Sequence, residues 1–212
     1  SDQNVAVEEF QAFCEEREIQ LFQDGYSSRN YVWAAECRSV ADVDALSQVL
    51  GVRAVARMPC VQMIHPHVFN PAPLQQPLPV RPEEDFPVVV VVDSGISSEV
   101  PNMGSWVIGR ESFVAPEYRN TEHGTFVAGL ICWGAELNPN LADIDGKPCA
   151  VFDLQVIPNG DPEKGDIDAL TEQELLQALD TALQQYANRF KVWNLSLGSD
   201  EVCSLDDFSP LA

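Results

Sequence analysis

The sequence predicts an α/β protein: a three-layer parallel sheet with flanking helices, preceded by a small α/β N-terminal domain. Three observations carry this. A run of five valines, Val88–Val92, ends in Asp93, and an unbroken apolar strand is one covered on both faces, as in a parallel sheet. Further apolar runs at about 150–157 and 190–196 alternate with helical patterns, the order that builds βαβ units. Seven prolines between Pro66 and Pro87 separate this region from a first segment with its own helix and strand patterns.

In chain order, residues 1–65 read as the small domain. Val5, Val7, Phe10, Phe13 and Cys14 have loose helical spacing. Tyr31–Ala35 reads as a strand. Val40, Val43, Leu46, Val49 and Leu50 form an amphipathic stripe, with Gly51 placed to end the helix. Val52–Ala56 and Val61–Ile64 read as strands. Residues 66–87 are the Pro-rich linker, because proline fixes φ and removes the amide donor. Residues 88–212 form the second domain. Its clearest helix covers 172–188, opened by the capping box Thr171-Glu172-Gln173-Glu174. Leu175, Leu179, Leu183 and Tyr186 are its expected buried stripe.

Composition narrows the function classes. The 212 residues carry a formal net charge of −21, which repels phosphate backbones and anionic lipid, so neither nucleic acid nor membrane is an expected partner. No apolar run approaches the roughly 18 residues needed to cross a bilayer. The six cysteines, Cys14, Cys37, Cys60, Cys132, Cys149 and Cys203, lack C-x-x-C or zinc-finger spacing and read as reduced, mostly buried thiols of a cytoplasmic protein.

Two short motifs carry chemistry. Asp93-Ser94-Gly95 follows the valine strand, which places Asp93 at the carboxyl edge of the sheet, where functional groups of α/β proteins gather. Glu122-His123-Gly124-Thr125-Phe126-Val127-Ala128-Gly129 reads as a loop running into a buried helix. A His at a helix N-terminus faces the positive end of the dipole, which favours the neutral imidazole that a general base needs. Gly124, Ala128 and Gly129 are small enough to bring that helix close to the sheet. Asp93, His123 and, later, Asn194-Leu195-Ser196-Leu197-Gly198 follow one another in that order. Aspartic proteases also use D-S-G, but they are all-β and need a second such loop, which is absent here.

These motifs resemble the amino-terminal portion of a subtilisin-like serine protease (subtilase), over about residues 86–199. The resemblance implies a partial subtilisin-like fold and a serine endopeptidase acting on protein or peptide substrates. Its catalytic residues here would be Asp93 and His123, and Ser196, Leu197 and Gly198 would bind substrate main chain by strand addition. Phe126 stands where the family often has a second His. The Gly-Thr-Ser segment of the nucleophile is not found. Ser94, Ser196, Ser204 and Ser209 lack that context, and Asn194 does not match the oxyanion-hole position. This polypeptide alone is therefore expected to be inactive, with the rest of the catalytic domain as its partner. By the same resemblance, residues 1–65 would be propeptide-like, and subtilases with a long linker can be paired with an ATPase. No cofactor is expected. Asp143-Ile144-Asp145-Gly146 has the alternating acids of a calcium loop but no Glu at the EF-hand position, leaving calcium as the candidate if a metal binds. The alternative reading is a non-catalytic interaction module that retains a subtilase half-fold.

Overall fold

A computed structural model describes residues 2–23, 31–62, 79–81, 85–137, 147–158 and 170–199. The chain divides into two compact units. The first comprises Ser1–Pro59, Thr171–Gln177 and Cys203–Ala212, and the second Cys60–Leu170 and Ala178–Val202.

The first unit holds α1 (Asp2–Glu16), the antiparallel pair β1 (Gln20–Phe22) and β2 (Ala34–Glu36), and α2 (Val40–Leu46). Cys14, Ile19 and Leu46 form its core, with Phe10, Phe13, Leu21 and Cys37 packed around them. Ser39 caps α2 by accepting the Asp42 amide, so this helix starts where its chemistry dictates. It ends at Leu46, however, and the expected stripe is not its buried face. Val40 is 77% exposed and Leu50 85% exposed, leaving Leu46 as the residue of the pattern that enters the core. Two further expectations need correction. The strand expected at 31–35 lies at 34–36, and residues 52–56 form none.

The second unit is built on a four-stranded, wholly parallel sheet, ordered β5-β6-β4-β7. Its strands are β4 (Val88–Asp93), β5 (Val107–Ser112), β6 (Ala150–Gln155) and β7 (Val192–Leu195). Three were expected from apolar runs. The fourth, β5, escaped because Gly109-Arg110-Glu111 interrupts its apolar pattern. It is one of the two edge strands, with a register irregularity between Val107 and Gly109, and an edge strand needs no apolar residues on both faces.

Helices cover both faces. On one, α4 (Glu122–Leu137) packs with α3 (Met103–Trp106) against Val91 and Val151. Val127, Ala128, Cys132 and Trp133 are its buried contributions, and a kink lies at Trp133. On the other face, Phe152 of β6 stacks on Tyr186 and Phe190, which lie at and just beyond the end of α5 (Glu172–Tyr186). Leu175 and Ala182 of α5 are buried while Leu183, expected in the stripe, is exposed. The buried line therefore runs one position earlier, through Ala182. The indoles of Trp106 and Trp133 both donate to the Pro79 carbonyl, and the Arg81 amide donates to the Ser105 hydroxyl. The described parts of the Pro-rich segment are thus held within this unit.

No helix among the described residues is long and apolar enough to cross a membrane. Cys14 and Cys132 are buried free thiols, and Cys37 and Cys149 are half-buried ones.

The capping box at α5 is formed as its spacing predicts. The Thr171 hydroxyl accepts the Glu174 amide at 3.2 Å and Glu174 accepts the Thr171 amide at 2.9 Å. Thr171→Ala should therefore lower stability by ~1 kcal/mol, read as a lower urea midpoint with an unchanged slope.

Candidate active site

Parallel strands bring their carboxyl ends to one edge of the sheet. Asp93 ends β4 there, opposite Gln155 of β6, and Gln155 is in turn opposite Ser112 of β5. The chain then turns sharply through Ser94, Gly95 and Ile96. Gly95 has φ of +102°, and a Cβ on it would come within 2.7 Å of the Gln155 amide nitrogen. Only glycine fits this turn.

The N-terminus of α4 closes over it. A Cβ on Gly124 would lie 2.3 Å from the Gly95 carbonyl oxygen, a backbone atom with little freedom to move. Glycine at 124 is thus a condition for the helix to seat on the turn. The seat is fastened by hydrogen bonds: the Gly124 amide donates to the Ser94 hydroxyl at 3.2 Å and the Ser97 amide to the Thr125 hydroxyl at 2.7 Å. Thr125 also donates to the Thr121 carbonyl. Gly129, expected to serve the same close approach, has only Trp133 near its Cβ position, at 3.9 Å. The close contact belongs to Gly124, while Ala128 is buried in the core under the helix.

This seating brings His123 to Asp93. Its Nδ1 lies 2.8 Å from Oδ1 and 2.9 Å from Oδ2 of Asp93. The carboxylate is fully buried and the imidazole is 8% exposed. Asp93 also accepts the Ser94 amide at 2.6 Å. A buried carboxylate needs donors, so the imidazole proton belongs on Nδ1, and the lone pair of Nε2 faces away from Asp93. The two residues that carry the sequence reading are thus brought together, 30 positions apart in the chain.

Ser196, Leu197 and Gly198 follow β7, whose Leu195 lies opposite Val92, and all three are half-buried. The Ser196 hydroxyl bonds the Asn194 side chain at 2.9 Å. Gly198–Ser199 forms a short strand, β8, paired antiparallel with β3 (Val61–Gln62): Gln62 lies opposite Gly198 and Val61 opposite Ser199. The Val61 amide donates to the Leu170 carbonyl at 2.7 Å, and Val61 is buried. The edge expected to take an incoming strand already holds a strand of this chain. The expected strand at 61–64 is described only to Gln62.

Ser94 is fully buried. Ser204, Ser209 and the Asp143–Gly146 segment lie outside the described residues. Among the described residues, no group of three or more His, Cys, Asp or Glu side chains is arranged to hold a metal ion.

The reading of the sequence missed two residues of β6. Gln155 is buried; its Nε2 donates to the Ser94 carbonyl, and its Oε1 accepts the Ser112 hydroxyl at 2.8 Å. Asp153, 4% exposed, accepts the Ile96 amide at 3.1 Å. Burial raises the Asp153 carboxyl to about 6, helped by the charge of Asp93 and opposed by the Ile96 amide, Arg110 and Arg119. The signal was present as two polar residues inside the apolar run Ala150–Ile157.

The chain matches no protein-family model, no curated protein and no solved structure.

Two outcomes follow from this geometry. Gly124→Ala should force α4 off the turn, costing ~2 kcal/mol or more, seen as a lower melting temperature together with loss of the His123 Nδ1–H signal bonded to Asp93. The second concerns pH. The folded Asp153 carboxyl titrates at about 6, above its ordinary value of 3.8. A raised carboxyl favours the fold most below the unfolded value, and this contribution is lost as pH rises through the folded one. Relative to Asp153→Asn, the wild type should lose on the order of 2–3 kcal/mol between about pH 4 and pH 7, measured by denaturant titration across that range.

Proposed function

We propose that these residues form the Asp–His portion of a subtilisin-like serine endopeptidase, hydrolysing peptide bonds with a serine supplied from outside the described residues. The observation that carries this reading is the buried Asp93–His123 pair at the carboxyl edge of a parallel sheet, with Nε2 of His123 left to act. His123 would accept the proton of the attacking hydroxyl and return it to the leaving amine. Asp93 would hold the imidazole in the Nδ1–H tautomer and stabilise its charged form. In serine proteases that orienting carboxylate is worth about 10⁴ in kcat.

Ser196, Leu197 and Gly198 are the proposed binding edge for substrate main chain. The β3–β8 pairing supports this, since it demonstrates that the backbone at Gly198 pairs with an extended segment. A peptide would enter by taking the place of Val61–Gln62. Acyl transfer by this pair calls for no cofactor.

The exposed apolar side chains support a partner. Val192 and Leu195 lie on the outermost strand β7 and are 55% and 44% exposed, while Phe126 and Leu130 project one turn apart from α4. A further portion of the catalytic domain, extending the sheet beyond β7, would cover such groups. An ATPase partner and a cytoplasmic location belong to the same proposal. The second reading, a non-catalytic interaction module, draws on the same exposed groups and on the filled edge at β8.

The two separate in one experiment on the product of the complete reading frame. A fluorophosphonate probe should label the wild type, and His123→Ala should lower that labelling by about 10³ or more. A folded wild type that takes no label after Val61–Gln62 is displaced or cut away would establish the interaction module instead.

A further inference from the structure

Asp153 sits where its strand calls for an apolar side chain. It lies on β6 opposite Val91 of β4 and Arg110 of β5, and shares a face with Val151 and Gln155. Val91 and Val151 belong to the core that α4 covers. A carboxyl in that layer is costly unless its oxygens are satisfied. Only one is. Oδ2 accepts the Ile96 amide and lies 3.9 Å from the half-exposed Arg110 guanidinium, whereas Oδ1 is buried with no partner among the described residues.

What Asp153 touches offsets that cost. The Asp93–Ile96 turn is gripped twice by β6: Gln155 takes the Ser94 carbonyl and Asp153 takes the Ile96 amide. The two bonds bracket Gly95, the residue at positive φ. A leucine at 153 would fill the space and hold nothing.

We propose that Asp153 is a positioning residue of the Asp93–His123 pair, anchoring the turn that carries Asp93. The catalytic consequence rests on the peptidase reading; the anchoring does not.

Amide exchange and the His123 Nδ1–H signal test this without requiring turnover. Only three histidines are present, His65, His67 and His123, and His123→Ala identifies the signal. Asp153→Asn keeps an acceptor for Ile96, so the Ile96 amide should stay protected from exchange and the His123 Nδ1–H bonded to Asp93 should stay in place. Asp153→Leu accepts nothing and should speed Ile96 exchange about tenfold or more and weaken the His123 Nδ1–H signal. Unchanged Ile96 exchange in a folded Asp153→Leu overturns the anchoring, and so does a roughly tenfold loss of Ile96 protection in a folded Asp153→Asn. Failure of the fluorophosphonate test leaves the result standing.

Discussion

The close seating of α4 on the turn after β4 is the contact on which the site depends. Gly124 meets the Gly95 carbonyl at a distance that admits no side chain, and that contact sets the height of the helix above the sheet. His123 precedes Gly124, so its ring is delivered to Asp93 by the same placement. The hydrogen bonds from Gly124 and Ser97 to the hydroxyls of Ser94 and Thr125 hold the register. Glycine, serine and threonine recur in the two motifs for this reason: they let two backbones touch and then tie them together.

The second constraint is electrostatic. Asp93 is fully buried, and Asp153 nearly so. Like charges in a low-dielectric layer cannot both be ionised cheaply. The layer is resolved by unequal partners: Asp93 has the imidazole and the Ser94 amide, while Asp153 has one backbone amide and a distant, half-exposed arginine. Asp153, with the poorer partners, therefore holds its proton up to about pH 6. Gln155, neutral and bonded at both ends, carries the polar row across to β5 without adding a charge.

At the far side of the sheet, apolar side chains face solvent. Strand β7 exposes an apolar side chain near each end, and α4, apolar nearly all round, leaves Phe126 and Leu130 uncovered. By contrast, the short edge at β8 is closed by β3, which satisfies backbone groups that would otherwise invite association.

By itself the sequence determined the parallel sheet and singled out Asp93 and His123, which meet at its edge. The valine run, the capping box and the H-G-T and D-S-G motifs are local signals, and each maps to the element it predicts. Strand β5 was hidden because an edge strand tolerates polar residues, and α2 was overextended because periodicity records apolar spacing without saying which residues find a core. The roles of Asp153 and Gln155 and the pairing of Val61–Gln62 with Gly198–Ser199 were decided only in three dimensions. Each joins residues more than 50 positions apart, and no local pattern encodes which backbone groups a distant turn or strand will leave to be satisfied.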